Sequence, residues 1–296
     1  MIKRNAKHIP FLKWAGGKRW LVERHPSIFP AFSGKYIEPF LGGGSVFFHL
    51  TPDRAVLSDT NAELIDTYIA IRDDWENVLD ILRHHAMEHS DSYYYTVRSF
   101  RPESLAEKAA RFIYLNRTCF NGIYRVNRNG QFNVPRGTRN SVIFKTDDFE
   151  GVSKLLKNAE LKACDFEEVI DGASAGDLVF ADPPYTIRHN NNAFIKYNED
   201  LFSWDDQIRL ASCLKRAAQR GALIIATNAY HQSVVELYRN YFQLQPIYRK
   251  SMISADKKFR GKYEELLIMG NLEHAESYDC VFRRGRIPQR PYGRPH

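Results

Sequence analysis

The sequence predicts an α/β protein built on a doubly wound, mainly parallel sheet. Two observations carry this. Short apolar strands alternate with helical stretches, and two of those strands run into turns rich in glycine or proline, where such sheets bind ligands. The 296 residues are 44% hydrophobic and 26% charged, an ordinary globular composition that excludes wholesale disorder and collagen-like structure. No apolar run approaches the roughly 18 residues a membrane span needs, and Met1–Pro10 is too polar for a signal peptide.

In chain order, Lys35–Pro39 reads as a strand entering a glycine turn, and Arg54–Ser58 as a second strand. Asn61–His85 has helical spacing at Leu64, Ile65, Tyr68, Trp75, Val78, Leu79 and Leu82, with Asp59 or Thr60 as candidate caps. Ser104-Leu-Ala-Glu107 reads as a capping box opening a helix to about Asn116. Glu160–Cys164 and Asp177–Ala181 are the third and fourth strands. Trp204–Arg220 is an amphipathic helix capped by Ser203 and stopped by Gly221. Ala222–Thr227 is a buried-type strand, and Phe242–Arg249 with Glu264–Gly270 could close an antiparallel edge. The organisation expected is a core of 1–59 and 156–271, a helical insertion at 60–155, and a basic tail at 272–296 with the composition of a disordered segment.

Net charge is +7, but five arginines fall within 283–296, where there is no acid; the other 37 Lys and Arg face 35 Asp and Glu. Global charge is thus weak evidence for a partner. Local charge is stronger: Lys108–Lys145 holds eight basic residues and no acid, and Arg249–Lys262 holds six against Asp256 alone. Two basic segments on a near-neutral body suggest a directed polyanion surface. Cys119, Cys164, Cys213 and Cys280 lie far apart without a C-x-x-C pair, so neither a disulfide framework nor a metal site is expected.

Four motifs carry chemistry. In Tyr36–Ser45, Glu38 and Phe40 precede Gly42, Gly43 and Gly44, a turn that lets backbone approach a bound cofactor. Asp59 then ends the second strand, where an acid can accept ribose hydroxyls. The pattern G-x-G-x-x-G fails at Phe47, which disfavours NAD. In Asp182-Pro183-Pro184-Tyr185, the carboxylate and the Pro183 carbonyl suit the two N–H groups of an exocyclic amine, and Tyr185 suits stacking on a flat base. Phe11–Lys18 ends in Gly-Lys but is no phosphate loop, since Arg19 stands where Ser or Thr is required. Trp14 fits core or cofactor wall equally. Lys18 suits a carboxylate. Asn116–Gly137 mixes Arg, Asn, aromatics and glycine turns without acids, the residue types that read base edges or stack on displaced bases.

Together these residues resemble the Dam-type DNA adenine-N6 methyltransferases, the D12 class or alpha group. Lys-Trp-Ala-Gly-Gly-Lys, Glu-Pro-Phe-x-Gly-Gly-Gly, Asn-Gly-x-x-Arg with Phe-Asn-Val-Pro, and Asp-Pro-Pro-Tyr stand in the family's order, and the resemblance runs from about Phe11 to Asn271. It implies a Rossmann-like methyltransferase sheet with an antiparallel edge strand and a helical DNA-recognition insertion. It further implies methyl transfer from S-adenosylmethionine to a flipped adenine of duplex DNA, in the cytoplasm, with GATC as the expected target.

Carried over residue by residue, the resemblance places Trp14, Lys18, Glu38, Phe40, Gly42, Gly43, Gly44, Asp59, Asp165, Phe166 and Asp182 around the cofactor, with Lys18 facing its methionyl carboxylate and Asp165-Phe166 its adenine. Asp182, Pro183, Pro184 and Tyr185 hold the target base. DNA contacts fall to Lys13, Arg117, Phe120, Asn121, Arg125, Asn127, Arg128, Asn133, Pro135 and Arg136. Lys257, Lys258 and Arg260 suit phosphates, in a segment that departs from the family's glycine- and serine-rich loop. No metal is implied. A cognate restriction endonuclease is a conceivable partner. An N4-cytosine or RNA adenine methyltransferase remains an alternative, as does a catalytically silent DNA-binding homologue. Asp182 favours adenine, because the cytosine group more often has Ser or Asn there.

Overall fold

The computed structural model describes residues 8–127, 130–186, 202–250 and 262–272. The expectations for Arg128, Lys257, Lys258, Arg260 and the tail beyond Leu272 lie outside the described residues.

Parallel strands β1 (Tyr36–Glu38), β2 (Ala55–Asp59), β3 (Ala159–Ala163), β4 (Leu178–Ala181) and β5 (Leu223–Ala229) form one sheet with β6 (Gln243–Lys250) and β7 (Lys262–Gly270). The order is β3-β2-β1-β4-β5-β7-β6, with β7 antiparallel to both neighbours. Strand order reverses between β1 and β4, which pair directly, so the ligand crevice of such a sheet falls at their C-terminal ends.

Helices cover both faces. They are α1 (Arg19–Arg24), α2 (Ser45–Leu50), α3 (Ala62–Met87), α4 (Asp91–Ser99), α5 (Leu105–Thr118), α6 (Phe149–Leu156), α7 (Phe166–Asp171), α8 (Trp204–Gln219) and α9 (Gln232–Tyr238). One apolar cluster joins Leu57, Phe180 and Leu267 of the sheet to Leu64 and Tyr68 of α3 and Ile113 of α5. The opposite face packs Ile37, Val179 and Ile224 against Phe166 of α7 and Leu210 and Leu214 of α8. Among the described residues no helix is long and apolar enough to cross a membrane.

Local chemistry explains the boundaries. Ser104 and Ser203 each form a capping box, with Glu107 and Asp206. The cap of α3 is Asn61, whose side chain accepts the Leu64 N–H; neither Asp59 nor Thr60 takes that place. Asp59 is engaged elsewhere: its Oδ1 accepts the Asn61 N–H at 3.0 Å and its Oδ2 the Gly42 N–H at 3.1 Å.

The N-terminal segment is stapled to α5. Asn116 accepts the Lys13 N–H at 2.8 Å and donates to the Lys13 carbonyl at 2.7 Å. Arg117 donates twice to the Phe11 carbonyl and forms a two-pronged pair with Asp147 at 2.6 and 2.8 Å. Its side chain is fully buried, between the rings of Phe144 and Phe149. Arg117 was expected to touch DNA. The structure corrects this: the guanidinium is a buried strut tying residues 11 and 147 to the helix, with no surface to offer a phosphate.

Candidate active site

Two turns meet at the β1/β4 switch point. The first follows β1. Gly42 has φ +47°, and a Cβ there would lie 2.6 Å from Cδ1 of Trp14, so only glycine lets the turn close against the indole. The Tyr68 hydroxyl donates to the Gly42 carbonyl at 3.1 Å, and Asp59 holds the Gly42 N–H, pinning the turn from both sides. Trp14 is half-buried: its ring stacks on Tyr124 at 5.8 Å and on Phe112 at 6.4 Å. It is packed against the core on one side and against the glycine turn on the other.

Glu38 lies beneath this turn, buried, and accepts the Tyr36 hydroxyl at 2.9 Å. Burial pushes its carboxyl well above the usual range, reinforced by the nearby charges of Asp182 and Asp59 against the opposing hydrogen bond from Tyr36. Burial raises Asp59 too, against the two backbone N–H groups it accepts.

The second turn is Asp182–Tyr185, after β4. The β4/β5 register runs to Ala181↔Ala226, so one step further sets Asp182 beside Thr227. The Thr227 hydroxyl donates to Asp182 Oδ1 at 2.7 Å, and Lys18 Nζ lies 2.9 Å from the same oxygen. Among the described residues, nothing donates to Asp182 Oδ2 or to the Pro183 carbonyl. The Pro184 carbonyl accepts from Gln207, which in turn accepts from Asn228, and this chain braces the turn against α8 and β5. The Tyr185 hydroxyl donates to Glu265 Oε2 at 2.8 Å, while Lys18 Nζ stands 4.9 Å from the Tyr185 ring centroid.

Lys18, expected to face a cofactor carboxylate, lies beside the carboxylates of Asp182 and Glu265 in this structure. Its ammonium, 4% exposed, contacts the Gly16 carbonyl at 3.1 Å, Asp182 Oδ1 at 2.9 Å and Glu265 Oε2 at 3.4 Å. Lys18 belongs to the Asp182 corner.

Asp165 caps α7 by accepting the Glu167 N–H, and both its oxygens accept from Arg209, at 2.6 and 2.9 Å. Phe166 is buried, with Phe40 stacked on it at 5.4 Å and the Arg209 guanidinium 4.2 Å from its centroid. Phe40, half-buried, is therefore the outer ring of that pair.

Within the basic segment Lys108–Lys145, isolated bridges pair Cys119 with Arg136 and Val126 with Phe132. Phe120 is exposed, and Asn121 stands at φ +55°. Arg125 is exposed and donates to Asn133 at 2.9 Å. Pro135 is exposed, and Asn127 pairs with Gln131. Arg136 is turned inward to Asp91 and Asn140, at 2.8 and 2.6 Å. Lys13 backs this segment: its ammonium donates to the Arg117 carbonyl at 3.1 Å. Burial, with the charges of Arg139 and Arg117, lowers it to about 8.

Sequence reading missed Thr227, Glu265, Asp147 and Arg209. Thr227 had a signal, as a polar residue at the C-terminal end of the parallel strand beside β4. Glu265 had a weaker one, an acid opening an apolar edge run.

A rigid corner with two acceptors that nothing among the described residues engages, beside an aromatic ring, is suited to holding a flat amine. The class this fold and site define is thus a group-transfer enzyme in which the amine is the nucleophile. A family model described as the D12 class N6 adenine-specific DNA methyltransferase matches residues 14–253. Over 268 residues the chain is 37% identical to a type II methyltransferase of Lactococcus lactis subsp. cremoris, covering 88% of this chain and 94% of that protein. It is 36% identical to a type II methyltransferase of Methanocaldococcus jannaschii, covering 88% and 98%. It is 31% identical to a DNA adenine methylase of Serratia marcescens, covering 89% and 98%. The chain belongs to the D12 class of adenine-specific DNA methyltransferases, and it is an enzyme of DNA adenine methylation.

Proposed function

We propose that this enzyme takes its methyl group from S-adenosylmethionine and delivers it to N6 of an adenine flipped out of duplex DNA, within GATC. The observation that carries the reading is the state of the Asp182 turn: Oδ2 and the Pro183 carbonyl have no donor among the described residues, while Tyr185 stands beside them. Those are two acceptors for the two N–H groups of an exocyclic amine.

The donor set fits the cofactor. Asp59 offers a carboxylate to its ribose hydroxyls, Glu38 a carboxyl that a bound ammonium would draw toward its ionised form, Phe40 a ring face to its adenine, and the Gly42–Gly44 turn close backbone. Asp165 borders the adenine as part of the Arg209 network. When bound, the cofactor supplies an electrophilic methyl. The chain's residues do the rest by orientation: Asp182 and Pro183 draw the amine's hydrogens aside, which turns its lone pair outward, and Tyr185 stacks on the ring. The nitrogen becomes cationic on methylation and sheds a proton readily, so no strong base is required.

Flipping costs a few kcal/mol, and the insertion, residues 60–155, supplies the contacts that offset it. Phe120 and Asn121 prop the vacated stack, Arg125 reads a guanine, and Lys13 reaches an outer base. Asn127, Asn133, Pro135 and, in sequence, Arg128, Lys257, Lys258 and Arg260 complete the DNA surface. Arg136 would have to leave Asp91 to join it. The type II names of the relatives support work alongside a restriction endonuclease in the cytoplasm. Base-resolution mapping of N6-methyladenine in DNA from cells expressing the protein tests the reading; methylation confined to GATC supports it, and methylation at another site removes the sequence assignment.

A further inference from the structure

We infer that Thr227 is a positioning residue for methyl transfer: its hydroxyl, with Lys18 behind it, anchors Asp182 through Oδ1 so that Oδ2 meets the target amine. The inference rests on the proposed role of Asp182.

The torsion that turns an aspartate carboxylate joins an sp³ to an sp² carbon, and its well is broad. Nothing intrinsic to Asp182 therefore decides which oxygen faces the substrate. A second acceptor, the Pro183 carbonyl, is restrained because the ring of Pro183 fixes φ and the following Pro184 restricts ψ, so the amine is held by two points only if Oδ2 is fixed too. Among the described residues, both donors to the carboxylate converge on one oxygen, Thr227 at 2.7 Å and Lys18 at 2.9 Å. The two are unequal as references. Lys18 divides its ammonium among Asp182, Glu265 and the Gly16 carbonyl on a flexible stem. Thr227 is fully buried in β5, between β4 and β7, and is β-branched, which stiffens its first torsion. Its hydroxyl has a single proton and lies 2.7 Å from Oδ1, which as a carboxylate oxygen can only accept; the same hydroxyl is also in hydrogen-bonding reach of Tyr185. Glu265 completes the frame from β7, in register with Ala229 of β5, by holding the Tyr185 hydroxyl and sharing Lys18.

The test compares Thr227→Val, which keeps the shape and removes the hydroxyl, with Thr227→Ser, which restores it. Single-turnover transfer and the affinities for duplex DNA and S-adenosylmethionine are read for each, with Asp182→Ala alongside. Loss of one hydrogen bond to a charged group predicts a rate about ten- to a hundred-fold lower in Thr227→Val. Both affinities should stay within about twofold of wild type, and Thr227→Ser should recover most of the rate. If Thr227→Val does not fold, Thr227→Ala takes its place with the same expectation. A wild-type rate without the hydroxyl, a loss confined to affinity, or a serine variant as slow as valine overturns the inference while leaving the role of Asp182 intact. Retained turnover in Asp182→Ala overturns both.

Discussion

The ammonium of Lys18 and the carboxylate of Asp182 form an ion pair at 2.9 Å in the floor of the site, with side-chain exposures of 4% and 17%. Glu265, 8% exposed, approaches the same ammonium at 3.4 Å. One buried cation thus serves two acids. Replacing it with Lys18→Met removes the cation that both carboxylates share and should lower stability by about 3–5 kcal/mol. A denaturant titration of wild type and variant checks this; unchanged stability would show that the pair contributes nothing to the fold.

Arg117 separates a structural role from a DNA-contact role. Arg117→Met breaks the buried two-pronged pair with Asp147 and should destabilise by about 3–5 kcal/mol. The salt dependence of DNA binding by the folded fraction should be unaltered, because a phosphate contact contributes to that slope and a buried strut does not. A shallower slope with normal stability would restore Arg117 to the DNA surface.

The proposed contact of Lys13 with DNA predicts binding that is sensitive to mild alkali. Its ammonium is held at about 8 against an ordinary value of 10.5, chiefly by burial, then by Arg139 and Arg117. Affinity should fall as pH rises through about 8, and Lys13→Gln should flatten that limb. Stability runs the other way. Between about 8 and 10.5 the unfolded chain holds this proton more firmly than the folded one, so the cost of keeping Lys13 charged inside the fold disappears across that window. Fluorescence anisotropy with a labelled duplex at pH 7 and pH 9 decides the first point.

Gly42→Ala should impair the cofactor turn specifically. The new Cβ would stand 2.6 Å from the Trp14 ring at a φ of +47°. Either the indole shifts or the turn opens, and in both cases calorimetry should record weakened S-adenosylmethionine binding, while the segment that carries Arg125 is left as it was. Wild-type affinity would show that the turn does not shape that site.

The strands, the long helices and the two chemical turns were legible because their signals are local: periodicity, capping boxes, and glycine or proline after a strand. Three-dimensional partners were not. Arg117 reads like its basic neighbours, and only the packing of Asp147, Phe144 and Phe149 around it makes it a strut. Lys18 reads as a carboxylate binder; the two protein carboxylates it meets belong to β7 and the β4 turn, 247 and 164 residues away in sequence, too distant for any spacing rule to connect. The cap of α3 shifted to Asn61 because Asp59 was already taken by the glycine turn.

The most direct test of the account is single-turnover methyl transfer by Asp182→Ala to adenine in a GATC duplex, measured with DNA affinity and a thermal melt. The account predicts a rate lower by on the order of 10³-fold, with DNA affinity largely retained and the fold intact. Turnover near the wild-type rate would contradict it.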